Sequence, residues 1–186
     1  MTLLNQPALT EDDLHHRLWM ELQRATNDRH HDWRTPVLAS TGLDGFPQAR
    51  TVVLRSAERA QAKLTFFTDS RSPKMAELQT QARASLVFWS KRLGWQLRVS
   101  VLATVITEGP AVEAAWQRVS QSPAAGDYLS AAPPGAPCAP EEVGVCPQHN
   151  LCIVSAQVLS MDWLALAQEG HQRARVSADS VAWCVP

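Results

Sequence analysis

The sequence predicts a mainly β (α+β) fold, an antiparallel barrel of about six to eight strands, closed or half-open, with peripheral helices. Two observations carry that prediction. Short runs rich in β-branched and aromatic residues recur between Gly- and Pro-marked turns. Helical character is confined to a few segments, and no internal repeat is visible. A chain of 186 residues, 45% hydrophobic and 19% charged, can close one sizeable core without staples. One domain over 1–186 is expected, with a helical segment at 1–33 and a Pro-rich loop at 131–148.

The first element is an amphipathic helix over 10–27, because Leu14, Leu18, Trp19, Leu22 and Ala25 fall at helical spacing. Thr10 suits the N-cap, and Glu11, Asp12 and Asp13 suit the positive end of the helix dipole. The pairs His15/His16 and His30/His31 are adjacent rather than four apart, so neither pair shares one helical face as metal ligands would.

From Pro36 the texture becomes that of strands. Residues 36–41 form one, closed by the turn signal Gly42-Leu43-Asp44-Gly45, and Gln48 to Arg55 read as a second. Leu64 to Thr68 form a third. Ser72-Pro73 opens a short helix in the expected order, cap and then proline, running to about Gln81. Ala84 to Trp89 and Gln96 to Thr107 supply two more strands, the second long enough to bend round a barrel. Ala111 to Val119 reads as a helix and 131–140 as a loop. Residues 149–158, 162–167, 173–177 and 181–185 close the chain as short strands.

Composition narrows the function classes. A formal net charge of −1 does not suit broad nucleic-acid coating, and no apolar run approaches the roughly 20 residues of a membrane span. Met1 to Glu11 lacks the pattern of a signal peptide, which predicts a cytoplasmic address with reduced thiols. Cys146, His149 and Cys152 have a C-x-x-H-x-x-C spacing, and Cys138 could complete a zinc set, but Pro-rich sequence separates it. An incidental thiol cluster is expected, with no metal. Seven tryptophans are scattered without basic interleaving, so they belong to the core or an interface, with Trp95 beside Gln96 as the exception.

Charge placed against pattern marks the candidate site. Arg50 and Arg55 bracket the apolar run Thr51-Val52-Val53-Leu54 and fall on opposite faces of a regular strand, so a twist or bulge is needed to bring both to one ligand. Thr68-Asp69-Ser70-Arg71-Ser72-Pro73-Lys74 then sets hydroxyls and cations at a helix N-terminus, where free N–H groups and the dipole favour an anion.

The order of these pieces resembles the pyridoxamine 5'-phosphate oxidase family. Asp44-Gly45-Phe46-Pro47, Arg50 to Arg55, Phe66 to Lys74, Leu78, Val87-Phe88-Trp89 and Gln96-Leu97-Arg98-Val99 resemble its FMN-binding core over about 34–107. Likeness resumes at His171-Gln172-Arg173-Ala174-Arg175, Trp183 and Pro186. The resemblance implies a split β-barrel homodimer with FMN at the interface and a small-molecule substrate. It implies that Arg50, Thr51, Val52, Val53, Leu54 and Arg55 line the flavin and its ribityl phosphate. Phe67 and Thr68 would contact the flavin, Ser72 and Lys74 would hold the phosphate, and Gln96 and Arg175 would reach the cofactor. Trp116, His171 and Arg173 would stand on the substrate side.

There are departures. Pro73-Lys74 stands where the family has Arg-Lys, and Ala131, Ala132 and Pro133 where it has a Gln-Ser pair. Of its aromatic-plus-arginine substrate patch only Trp116 and Arg118 remain, and either Trp163 or Leu164 takes its flavin-side tryptophan slot. The implied function is an FMN-dependent oxidoreductase acting on an unidentified small substrate. The alternative is a non-enzymatic barrel that binds flavin or haem.

Overall fold

A computed structural model of the chain describes residues 10–137, 144–168, 170–177 and 180–186. The chain opens with α1 (Glu11–Asn27), whose N-cap Thr10 accepts from the Asp13 amide as its sequence suggested. Leu14, Leu18, Trp19, Leu22 and Ala25 are all buried, and each large apolar side chain so placed contributes about 1.5–3 kcal/mol. The polar side of α1 is anchored by Glu21. Burial raises the pKa of its carboxyl, but His31 at 2.9 Å, Arg24 at 2.8 Å and Arg92 at 3.2 Å outweigh that and hold it below the ordinary value. A single 3-10 turn at Asp32–Arg34 follows, placing Trp33 in the core.

Among the described residues nine strands make one antiparallel sheet. They are β1 (Val37–Thr41), β2 (Pro47–Thr51), β3 (Leu54–Glu58), β4 (Lys63–Asp69), β5 (Arg83–Ser90), β6 (Trp95–Ile106), β7 (Leu151–Ala165), β8 (Gln172–Val176) and β9 (Val181–Cys184). Helix α2 (Pro73–Thr80) follows β4, and α3 (Pro110–Val119) follows β6. The ladder runs β2-β1-β5-β6-β7-β4-β3, and β8 and β9 extend the C-terminal half of β7. Among the described residues no ladder joins β2 to β3, so the barrel is split rather than closed.

Two expected boundaries change. The run 48–55 is not one strand: it breaks at Val52-Val53, where the Val52 amide still bonds the Pro36 carbonyl at 3.0 Å, and a bulge follows between Leu54 and Ser56. The break and the bulge interrupt the regular alternation between Arg50 and Arg55. In contrast, 149–158 and 162–167 merge into β7, because a bulge that leaves Leu159 half exposed lets the ladder with β6 continue. The split and the merger offset one another, so the nine segments read from the sequence appear as nine strands among the described residues, one above the six to eight expected of the barrel. The turn at 42–45 forms as read: Gly45 adopts φ +83°, and the Gly45 amide bonds the Gly42 carbonyl at 2.8 Å.

Two apolar clusters result. The larger lies between α1, α2 and the concave sheet face and includes Trp33, Phe66, Phe88, Leu97 and Trp163. The smaller sits under α3 and holds Val112, Ala115, Tyr128, Leu151 and Ile153, with Phe67 and Trp116 at its margin. No described helix is long and apolar enough to cross a membrane.

Candidate functional site

The strand β4 delivers Thr68 to the N-terminus of α2, and there four of the expected residues meet. The Lys74 ammonium donates to Thr68 Oγ1 at 2.9 Å, and that hydroxyl lies 3.3 Å from Ser72 Oγ. Ser72 is buried at the N-cap and makes no side-chain bond to the first turn of α2. Pro73 at the first helical position has no N–H to satisfy. Arg50 reaches the same place from β2, donating to Ser40 Oγ and, at 2.7 Å, to Glu77 Oε2.

The electrostatics are those of an anion cradle. Burial lowers the Lys74 pKa first, and the neighbouring Arg50 guanidinium lowers it further. Two cations brought this close repel one another, and the Glu77 carboxylate is already engaged by Arg50 and Ser40. A dianion beside Thr68 and Ser72 would relieve the repulsion. The residues present fit a phosphate monoester.

The other face of β4 carries a second group. The Arg55 guanidinium lies over the Phe67 ring at 5.5 Å, and its Nε is buried without a partner. Tyr128 stands beside it; burial raises the phenol pKa, and Arg55 partly offsets this. Trp116 stacks on His149 with ring centroids 4.5 Å apart. His149 is therefore committed to an aromatic contact, while Cys152 points into the core and donates to the Thr68 carbonyl at 3.3 Å. The C-x-x-H-x-x-C spacing thus does not converge, and Cys138 lies outside the described residues.

Within the 50–55 run the structure divides the roles. Val52 and Leu54 are buried in the core cluster, so only their backbone faces outward; Thr51 is exposed and Val53 half-buried. Alternation along an extended chain sends every second side chain inward, so Val52 and Leu54 offer a ligand their backbone only. Arg71, which the resemblance did not assign to the cofactor, has its donors engaged elsewhere. It pairs with buried Asp69 and donates to the carbonyls of Ser130 and Ala131 at 2.8 and 3.1 Å, clamping the loop that begins at Leu129.

Gln96, His171, Arg173 and Arg175 lie elsewhere in the chain. The cross-strand pairs Trp89–Gln96, Gln96–Leu164 and Leu164–Arg173 set one row across β5, β6, β7 and β8. Asp162 accepts from Arg173 at 2.7 and 3.0 Å and from Arg98, and these bonds hold its pKa below the ordinary carboxylate range. His171 is exposed and accepts from the Ala167 amide at 3.3 Å. Phe67 pairs with Ile153 and Ile153 with Ile106, ten residues along β6 from Gln96. At about 3.3 Å per residue, roughly 33 Å of strand separates the two groups. The two groups thus stand near opposite ends of β6. Trp116 belongs with the Phe67 group, so it does not meet His171 and Arg173 in one chain.

The parity of this ladder also assigns 163 and 164. Leu97, Trp163 and Ala174 form a fully buried row, so Leu164 is the residue that shares the outer face with Gln96. Trp95 is engaged inside, against Trp33 at 6.4 Å and Trp163 at 5.3 Å. A concavity of about 800 Å³ lies between α1 and the β5–β6 turn and contains none of the expected site residues. A site walled on one side by each of two chains would be shallow in either alone.

Sequence reasoning missed Glu77 and Ser40 beside Arg50, and Asp162 beside Arg173. Glu77 left one signal, a carboxylate one turn after Lys74 on the same short helix; the strand partners left none.

Comparison with known proteins agrees with this fold. Residues 16–107 match the family model described as pyridoxamine 5'-phosphate oxidase, FMN-binding domain. A pyridoxine/pyridoxamine 5'-phosphate oxidase of Thermosynechococcus vestitus is 37% identical over 97 residues, 52% of this chain and 44% of that protein. The chain spans about half the length, or less, of the curated relatives it matches. An FMN-binding protein related to pyridoxamine 5'-phosphate oxidase from Nostoc punctiforme superposes with a TM-score of 0.75 at 24% identity, over 92% of this chain and 96% of that one. PhzG from Burkholderia lata, solved with tetrahydrophenazine-1-carboxylic acid, gives 0.73 at 18% identity, over 97% and 95%. At these identities the two structures speak for the fold alone. Residues 16–107 are thus similar to the pyridoxamine 5'-phosphate oxidase FMN-binding domain family.

Proposed function

We propose that this protein binds FMN between two copies of itself and passes electrons through the flavin to or from a small substrate. The observation that carries the reading is the meeting of Arg50, Thr68, Ser72 and Lys74 at the start of α2. The phosphate rests there, with Lys74 and Arg50 as its counter-charges. The separation of Phe67 from Gln96 along β6 supports the second copy: one protomer holds the phosphate, and the other turns its Gln96 and Arg175 towards the ring. The flavin supplies the electron chemistry when bound. The chain's own residues bind and orient it.

The substrate is not phosphorylated in this reading. Trp116 is spent on His149, and Arg118 is an exposed residue on α3, so the face beside Arg55 lacks the paired cations that a phosphate ester wants. The test is an absorbance titration of the purified protein with FMN, alongside sedimentation. A yellow dimer taking up one FMN per chain is expected; a colourless protein that leaves added FMN free would refute the reading. Turnover with NAD(P)H and an acceptor, or with an unphosphorylated amine, separates the oxidoreductase from a barrel that only stores flavin.

A further inference from the structure

We infer that Trp89 is a ring-contacting residue of the cofactor site, forming with Gln96, Leu164 and Arg173 a platform for a planar conjugated ring. The inference rests on the proposed function and goes beyond it by adding a residue and a surface.

Parity gives the first part of the argument. Phe88 and Ser90, the neighbours of Trp89 on β5, are buried at 0% and 1% exposure, whereas Trp89 is 47% exposed. Its indole therefore stands on the outer face of the sheet. Gln96 lies directly opposite in the antiparallel ladder, and Leu164 and Arg173 continue the same row. Side chains so paired have Cβ atoms about 4.5–5.5 Å apart. Indole, amide, leucine and guanidinium thus form one continuous strip.

Rigidity gives the second part. Ser90 Oγ donates to Asp32 at 2.8 Å and accepts from the Leu93 amide at 3.2 Å, which fixes the strand end that carries Trp89. Arg173 is held flat by its two bonds to Asp162. A flat, half-open aromatic on a fixed backbone loses little entropy on stacking.

Charge gives the third part. The next row along the same face holds Arg98, Asp162 and Arg175. Three guanidiniums thus stand against one carboxylate, and exposed Arg175 faces solvent. An apolar strip bordered by surplus positive charge suits a ring with hydrogen-bond acceptors along one edge, which is the chemistry of an isoalloxazine. The ring comes from the cradle of the second copy, since the chain's own cradle lies at the far end of β6.

Flavin emission tests this without any turnover. An indole stacked on the excited ring gives it one electron, which returns in the dark with no net oxidation, so emission is quenched. Trp89→Phe should raise the emission of bound FMN several-fold and weaken FMN binding by about two- to tenfold, the worth of one aromatic contact. Trp183→Phe, also an exposed indole but on the inward-facing row, should change neither. If the wild-type protein binds FMN and Trp89→Phe leaves both emission and affinity unchanged, the inference fails and the proposed function stands. If Trp89→Phe converts the dimer to a monomer on sedimentation, Trp89 is a packing residue and the inference also fails. If the wild type takes up no FMN, both fall together.

Discussion

Arg50 and Glu77 are joined by a 2.7 Å bond that closes β2 onto α2, and Lys74 stands in the same cradle without such a carboxylate partner. The two cations therefore have different structural debts. Arg50→Ala leaves the Glu77 carboxylate buried and unpaired, so it should destabilise the fold by about 1–3 kcal/mol and weaken FMN binding by about ten- to a hundredfold. Thermal melting and FMN titration of the one variant read both effects.

Lys74→Ala should weaken FMN binding to a similar degree while leaving the ligand-free melting temperature unchanged or higher. Among the described residues its side chain bonds Thr68 alone, and its charge is disfavoured by burial and by Arg50. A large loss of stability in this variant would contradict the electrostatic picture.

The same lysine sets a pH dependence. Its pKa in the ligand-free fold lies below the ordinary lysine value, because burial and then Arg50 disfavour the charged form. FMN affinity should be flat at neutral pH and fall as pH rises through that lowered value, where binding must first restore the proton. Ligand-free stability moves the other way over this interval, since the unfolded chain then holds a proton that the folded one has shed. Lys74→Arg should abolish the alkaline fall in affinity, measured by titration between about pH 7 and the ordinary lysine range.

Arg71 and Asp69 make the neighbouring prediction. Arg71 spends its donors on Asp69 and on the carbonyls of Ser130 and Ala131. Arg71→Ala should loosen the segment that starts at Leu129, giving faster amide exchange and proteolysis there. FMN affinity should fall by less than in Lys74→Ala. Equal losses would mean that Arg71 reaches the phosphate itself.

Cys152 should be inert. Burial, then the Asp69 charge, pushes its thiol up to about 12, and the sulfur sits between the Thr68 carbonyl and Met75. Mass spectrometry after treatment with a thiol reagent at neutral pH should find Cys146 and Cys184 modified and Cys152 untouched until the protein is denatured.

Local signals were enough for much of this. Thr10, Ser72-Pro73 and Gly42 to Gly45 mark their caps and turn by side-chain chemistry alone, and α1, α2 and the first hairpin form where those residues place them. The break at Val52-Val53 was illegible as a boundary, because Thr51 to Leu54 is as good a strand as any in the chain; the need for an irregularity was visible only in the parity of Arg50 and Arg55. Pairings such as Arg50 with Glu77 or Asp162 with Arg173 bring together residues distant in sequence, which no local pattern encodes. Trp89 shows the converse problem. Its neighbours Val87 and Phe88 make it read as one more core aromatic, and only the register against Gln96 reveals that it faces out.

The length of β6 has a genetic consequence. Cradle and platform sit at opposite ends of one ladder, so in the proposed dimer each binding site borrows one end from each subunit. In that dimer, a chain damaged at Lys74 or a chain damaged at Gln96, paired with itself, carries a lesion in both of its pockets. Co-expressed, they pair to give one pocket with both lesions and one with neither. Mixing two dead proteins should therefore restore about half of the flavin occupancy per mixed dimer, a complementation that a pocket built within one subunit could not produce.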